Sequence, residues 1–533
     1  MVVTTQQIAS EVGLGILKQG GNAIDAAVAV GYALAVVDPC CGNIGGGGFM
    51  LIRRKTGEEV FLNFRERAPL KATRDMYLDA KGDVVPGKSL RGFTAVAVPG
   101  TVAGLERARE QYGTMSRERL LAPAIRLAEE GFVLGAGDVA VLGLPINRFA
   151  EQPNVAAVFL KAGKPYAAGD RLVQKDLAAT LQQIAKQGPD AFYRGPIAAK
   201  LAAAAAENGG LLSREDLAAY SVTELPPIHC RYRGYEVVSA PPPSSGGVAL
   251  CEILGVLEGY PLADWGFHTV KSLHVTIEAE RHAYADRNAN LGDPDFVRNP
   301  VAELLDAGYA ARIRREIPAD RAVPSSAVKG TRFAGHEGES TTHYSIVDAD
   351  GNAVAVTYSI NAYFGAQVIA GDTGFLLNDE MDDFSAKPGA PNLFGLVEGA
   401  ANAIAPGKRP LSSMAPTIVT KNGKVFLVAG SPGGSRIITI TLGVVQNVID
   451  YGMSVQHAVD APRIHHQWLP DAVSLEPGAL APETRAELEK QGYRFTDELR
   501  PWGAAETIRV DPESGTLEGA NDRRRPAGAA AGW

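Results

Sequence analysis

The stretch that decides the reading is Ser340-Thr341-Thr342-His343-Tyr344-Ser345-Ile346-Val347-Asp348-Ala349-Asp350-Gly351-Asn352-Ala353-Val354-Ala355-Val356-Thr357-Tyr358-Ser359-Ile360-Asn361. Two runs rich in β-branched and aromatic residues flank a polar turn, which predicts a β-hairpin. With Ala349, Asp350 and Gly351 as a three-residue loop, Gly351 takes the left-handed position and Thr341 comes to face Ser359. Two hydroxyls directly across a ladder stand about 5 Å apart at Cβ, within hydrogen-bonding reach. Asn361 falls on the same face two residues on.

A cut of the Ser340–Thr341 bond gives Thr341 an α-amine, with an unperturbed pKa of roughly 8, beside its own hydroxyl. Such an amine serves as general base for an otherwise weak nucleophile. On the hairpin alone, a Thr–Ser pair is ordinary strand packing. His343, two residues along the same face, reads as a structural neighbour of the pair.

Bulk properties narrow the classes. The chain has 533 residues, 46% hydrophobic and 21% charged, with a formal net charge of -8, an ordinary globular composition. The acidic balance argues against nucleic acid or an anionic membrane as main partner. Arg523-Arg524-Arg525 is the densest basic spot and reads as a solvated or internally paired patch. The most apolar run, Ala26 to Val37, ends at Asp38-Pro39, short of the roughly twenty residues of a membrane span. With Asn22 as its cap it reads as a buried helix. Cys40 and Cys41 are adjacent, Cys230 and Cys251 are isolated, and no metal-like spacing occurs, so four thiols are expected. Nine histidines form no H-E-x-x-H pattern, which disfavours a zinc hydrolase.

Helical runs (Ile197 to Ala206, Ser272 to Ala289, and one opened by the Ser213 capping box) alternate with strand-like runs (Gly48 to Arg53, Glu236 to Ser239, Lys424 to Ala429). That alternation suits an α/β layered protein without selecting its topology.

The wider pattern is more specific. Thr341-Thr342-His343-Tyr344-Ser345, Asp350-Gly351-Asn352-Ala353, Asn378-Asp379-Glu380-Met381-Asp382-Asp383-Phe384, Pro410-Leu411-Ser412-Ser413-Met414 and Gly430-Ser431-Pro432-Gly433-Gly434-Ser435-Arg436 resemble the small subunit of γ-glutamyltranspeptidases. Gly20-Gly21-Asn22-Ala23, Gly45-Gly46-Gly47-Gly48-Phe49, Phe64-Arg65-Glu66, Pro99-Gly100-Thr101 and Pro241-Pro242-Pro243-Ser244-Ser245-Gly246-Gly247 resemble the large one. The resemblance spans nearly the whole chain, in order. It implies an α/β fold, a four-layer αββα sandwich of the N-terminal-nucleophile hydrolase type. The large-subunit segment, 1–340, and the small-subunit segment, 341–533, would form one compact domain after autocatalytic cleavage between Ser340 and Thr341. No Pro/Ser-rich or charge-rich linker near residue 340 speaks for a hinge. The resemblance further implies a periplasmic or secreted protein, although no export signal is visible at Met1-Val2-Val3.

It also implies roles. Thr341 is the nucleophile with Ser359 opposite it. Arg65 grips the substrate α-carboxylate, a task suited to a guanidinium's two-pronged geometry, and Ser412 and Ser413 add hydrogen bonds to that carboxylate. Glu380 and Asp383, with Asn361 as a neutral helper, surround the α-ammonium. Gly433 and Gly434 form the oxyanion hole. Phe394 is the covering aromatic of a lid within the Pro/Gly-rich stretch from Lys387 to Pro410. Taken singly, these motifs have blander readings: a surface ion pair of Arg65, Glu66 and Arg67, a turn at the serines, a solvated acidic loop, a strand-to-helix bend and a lone exposed aromatic. Ser431 does not fit a nucleophile elbow.

Two departures from the family pattern are visible. Ser359 stands where threonine is usual, with a freer rotamer, and Asn63 stands before Phe64-Arg65 where an acid is commoner. The implied substrates are glutathione and other γ-glutamyl compounds, with amino acids or dipeptides as acceptors and no metal or organic cofactor. The rivals are a glutaryl-type (cephalosporin) acylase of the same superfamily and an unprocessed, non-catalytic binding protein.

Overall fold

In the computed structural model, residues 1–328 and 341–533 are described; Ser340, on one side of the expected cut, lies outside them. Strands Thr342–Val347 and Ala353–Ser359 pair antiparallel, with Val347 opposite Ala353 and Thr342 opposite Tyr358. This is the expected register. Gly351 has φ of +88°, the left-handed turn position that a Cβ disfavours. The Asp348 carboxylate accepts from the backbone N–H groups of Asp350 (3.0 Å) and Asn352 (2.9 Å). It also accepts from Ala23 N–H at 2.9 Å, tying the turn to the start of a helix.

That hairpin is the middle of a seven-stranded antiparallel sheet in the order Ala529–Ala531, Val2–Thr4, Thr342–Val347, Ala353–Ser359, Gly47–Arg53, Glu59–Asn63, Thr223–Leu225. A six-stranded sheet faces it, ordered Leu517–Ala520, Thr507–Val510, Lys424–Ala429, Thr417–Lys421, Tyr235–Ser239, Ile228–Tyr232. Both sheets combine strands from before and after residue 340. Val2–Thr4, for example, is hydrogen-bonded on both sides by later chain.

Three apolar layers hold the stack. Val3, Phe49, Leu51, Phe61 and Ala355 meet Val238, Ile418, Val428 and Ile508 between the sheets. Outside the first sheet, Tyr344, Ile346, Val354 and Val356 pack on helix Ala23–Val37 and its neighbours. Outside the second, Val237, Val419 and Leu427 pack against helices Gly246–Leu257, Val270–Asn290 and Ile437–Ile449. The layers are therefore helix, sheet, sheet, helix, the expected sandwich. Strand alternation decides which residue enters which layer: odd-numbered hairpin residues point between the sheets, even-numbered ones toward the helices. At the turn end the inward residues are Val347, Ala353 and Ala355. At the other end they are Thr341, His343, Thr357 and Ser359, all buried. A polar pocket thus opens where the apolar interlayer stops.

Helix Ala23–Val37 is buried along its length and capped by Asn22, whose Oδ1 accepts from Ile24 N–H (2.9 Å) and Asp25 N–H (2.8 Å). It is fixed to the hairpin by Tyr344 and Tyr358, whose hydroxyls each donate at 2.9 Å, to Ala27 O and Gly31 O. Among the described residues no helix is long and apolar enough to cross a membrane.

The expectation of four thiols is corrected. Cys230, on strand Ile228–Tyr232, is joined to Cys251, on helix Gly246–Leu257, with Cα atoms 5.8 Å apart, and Cys40 is joined to Cys41. Sequence spacing could not reveal the first pair, because only the packing of that helix on that strand brings the two sulfurs together. The arginine run is internally paired: Arg524 with Glu476 and Asp522, Arg523 with Asp460.

Candidate active site

Thr341 immediately precedes its strand, is 4% exposed, and donates from Oγ1 to Ser359 Oγ at 3.4 Å. Ser359 Oγ also accepts from Asn361 N–H at 2.8 Å. Asn361 has φ of +70°, which asparagine tolerates better than most residues. Its Nδ2 donates to Asp379 O at 3.1 Å, so the Thr341 hairpin is laced to the acidic loop. His343 has the structural role read for it. Nδ1 lies 2.8 Å from Thr357 Oγ1 and Nε2 3.1 Å from Ser345 Oγ. Burial pushes its pKa down to about 3, and its ring occupies the space a Cβ on Gly430 would need.

After strand Lys424–Ala429 the chain turns through Gly433 and Gly434, with φ of +143° and +56°, into the 3-10 turn Gly434–Arg436 and helix Ile437–Ile449. Among the described residues neither glycine N–H donates a hydrogen bond, and both sit at a helix N-terminus, where partial positive charge collects. A Cβ on Gly434 would stand 2.3 Å from the Phe394 ring. Phe394 is therefore not a lone exposed aromatic: it is 5% exposed and lies on the glycine turn. Its loop is pinned by Asn392 Oδ1, which accepts from Phe394 N–H (3.0 Å), by Asp382, which accepts from Leu393 N–H (2.8 Å), and by Gln467 Nε2, which donates to Phe394 O (3.1 Å).

The charged groups are buried, not the surface cluster their sequence alone would suggest. Arg65 and Glu66 are fully buried, and Asp379, Glu380, Asp382 and Asp383 nearly so. Arg65 Nη1 donates to Glu380 and Nη2 to Asp383, while Glu66 stands 3.6 Å away. Arg65 N–H is held by Asn63 Oδ1 at 3.0 Å, so the departure at Asn63 supplies a neutral acceptor. Arg67 turns away to stack on Tyr220, 6.0 Å from its ring centroid. Burial opposes the Arg65 charge, but Glu380, Asp383 and Glu66 outweigh it and keep the guanidinium ionised. Burial likewise raises the Glu380 and Asp383 carboxyls, with Arg65 pulling both back down. It lifts Glu66 to about 7, again against Arg65. Three acids around one base leave an excess of acceptors: Glu380 Oε2, Asp383 Oδ1 and both Glu66 oxygens have no hydrogen-bond partner among the described residues.

These elements converge on one small cavity lined by Thr341, Ser359, Asn361, Glu380, Asp383, Phe394, Ser412, Ser413 and Gly434. Arg65 and Gly433 are not on its wall. Arg65 sits behind its two carboxylate partners, and Gly433 lies one residue from the lining Gly434. Ser340, the remaining expected site residue, lies outside the described residues. Arg287, from helix Val270–Asn290, also lines the cavity and was missed, together with its partner Glu398. The signal was weak: one arginine in a helix with charges on every side says nothing of which way it points.

A buried threonine at the head of an inner strand, in a helix–sheet–sheet–helix stack, defines the class of N-terminal-nucleophile hydrolases. The gamma-glutamyltranspeptidase family model matches residues 9–532. The chain is 56% identical to a glutathione hydrolase proenzyme of Pseudomonas sp. (strain A14), over 100% of this chain and 94% of that one. It is 50% identical to one of Escherichia coli (strain K12), over 100% and 92%. A crystal structure of cephalosporin acylase from Bacillus halodurans superposes with a TM-score of 0.86 at 30% identity, covering 100% of this chain and 95% of that one. The chain belongs to the γ-glutamyltranspeptidase family, enzymes of γ-glutamyl transfer and hydrolysis.

Proposed function

We propose that this chain is a precursor that cuts itself between Ser340 and Thr341 and then uses Thr341 to carry γ-glutamyl groups, with glutathione as a donor. In maturation the Thr341 hydroxyl attacks the Ser340 carbonyl, the acyl group moves from nitrogen to oxygen, and water hydrolyses the ester to free the Thr341 amine. Segments 1–340 and 341–533 stay together because strands of one are hydrogen-bonded to strands of the other in both sheets. In turnover the Thr341 amine takes the proton of its own hydroxyl. The oxygen attacks the γ-carbonyl, the Gly433 and Gly434 N–H groups meet the developing negative charge, and the protonated amine returns its proton to the leaving Cys-Gly amine. Water, an amino acid or a dipeptide then takes the γ-glutamyl group.

The observation that carries this reading is the cavity in which a hydroxyl pair, a glycine turn, two serines and two carboxylates meet. A γ-glutamyl group is a zwitterion at its far end. Its ammonium would take the unpartnered oxygens of Glu380 and Asp383, and its carboxylate would draw on Arg65 and the serines, exchanging internal ion pairs for intermolecular ones. The acylase reading has the structural likeness to cephalosporin acylase behind it. A glutaryl group, however, would set Glu380 and Asp383 against uncharged carbon, a costly burial. The strand–helix pair Cys230–Cys251 suits an oxidising, periplasmic or secreted setting.

Intact mass after incubation at neutral pH tests maturation. Wild type should give two fragments meeting at Ser340/Thr341, and Thr341→Ala one uncut chain. Cleavage elsewhere, or in both proteins, refutes the step. Turnover of glutaryl but not γ-glutamyl substrates would install the acylase reading instead.

A further inference from the structure

Arg287 has a place in the site that the reaction above leaves unused. It is 1% exposed. Its Nε donates to Ser245 Oγ (2.9 Å), Nη1 to Asn288 Oδ1 (2.8 Å) and Glu398 Oε1 (2.5 Å), and Nη2 to Ser413 Oγ (3.2 Å).

A guanidinium has donors only, and a serine hydroxyl has one proton. Ser413 Oγ must therefore accept from Arg287, and its proton is left to give away. Among the described residues nothing takes it, and Ser413 faces the cavity. Ser245, the other serine on Arg287, differs: its proton goes to Ser412 O at 2.7 Å. Glu398 continues the chain of contacts. It also accepts from Asn402 Nδ2, which donates to Asp383 O at 2.6 Å, while Asn402 Oδ1 accepts from Leu411 N–H at 3.0 Å. Glu398 follows the Phe394 loop by four residues. One buried cation thus joins the serine loop, the acidic loop and the lid.

We propose that Arg287 is a positioning residue for substrate recognition: it makes Ser413 an obligate donor to the α-carboxylate and ties that donor to the lid through Glu398. The proposal rests on the γ-glutamyl reading. Glutamine at this position can accept as well as donate, so Ser413 could turn its proton back into the protein. Lysine keeps the charge opposite Glu398 but cannot reach all four partners of the guanidinium fork.

The test compares γ-glutamyl-p-nitroanilide with 4-aminobutyryl-p-nitroanilide, which has the same ammonium and amide and no α-carboxylate. Arg287→Gln should raise KM for the first about tenfold, the worth of one hydrogen bond to a charged group, with kcat little changed, and leave kcat/KM for the second unchanged. In a Ser413→Ala background the same substitution should add nothing. Arg287→Lys, which preserves the buried charge, should show a smaller rise with the same selectivity and decides the matter if the Gln variant does not mature. Equal losses on both substrates, or additive losses with Ser413→Ala, would overturn the proposal alone. A wild type inert on the γ-glutamyl anilide would overturn the functional reading with it.

Discussion

The Thr341 hairpin and the proposed recognition pocket touch the same cavity but are built in opposite ways. Thr341, Ser359 and Asn361 come from one continuous stretch, and their mutual placement follows from a turn and a ladder register. Arg65, Arg287, Glu380, Asp383, Ser412 and Ser413 come from separate segments and meet only through ion pairs and loop contacts. In the proposed reaction, local geometry serves the step that must be accurate in bond-making, while the assembled pocket serves charge recognition. Damage to the first should appear in maturation and kcat, and damage to the second in KM.

The largest expected break is Thr341→Ala: an uncut chain with kcat down by at least ~10⁴-fold, as when a nucleophile is removed. Any comparable rate in this variant would move the chemistry off the hairpin. Next is Gly434→Ala, which places a methyl against the Phe394 ring at φ of +56°. It should lower kcat roughly 10²–10³-fold, the scale of losing an oxyanion donor, with KM nearly unchanged. Steady-state kinetics on the matured variant would show it.

Asp383→Asn sharpens the contrast from the pocket side. KM for γ-glutamyl donors should rise about 10–100-fold, the worth of a hydrogen bond to a charged group, while processing at residue 341 proceeds. A kcat loss at constant KM would erase the division of labour proposed here.

The smallest effect concerns Asp382 beneath the Phe394 loop. Burial lifts its carboxyl to about 6, against the Ser89 hydrogen bond. A carboxyl whose pKa is raised on folding holds its proton more tightly in the folded state. Its contribution is most favourable below the unfolded value near 4, declines as pH rises to about 6, and is a constant cost above that. Asp382→Asn should therefore raise the melting temperature by about 2 °C at pH 8 and not at pH 4. An equal shift at both would assign the effect to packing.

The hairpin register was legible because side-chain period and turn length are local properties. So was the buried helix Ala23–Val37, cap included. The roles of Arg65, Glu380 and the serines rested on family resemblance, since in isolation each suits a surface ion pair or a turn. Arg287, Glu398 and the Cys230–Cys251 pair escaped, because nothing in their spacing along the chain tells that they face one another.

By itself the sequence determined the hairpin, the placement of two hydroxyls across it, the glycines at the strand-to-helix turn and the family. Only the tertiary structure decided that Arg65 is buried among three carboxylates, that Phe394 lies on Gly434, and that Arg287 leaves Ser413 a proton to donate. The physical reason is range. Hydrogen-bonded ladders and turns are set by neighbours a few residues apart, whereas burial, charge pairing and proton direction depend on which distant segments the packed layers bring together.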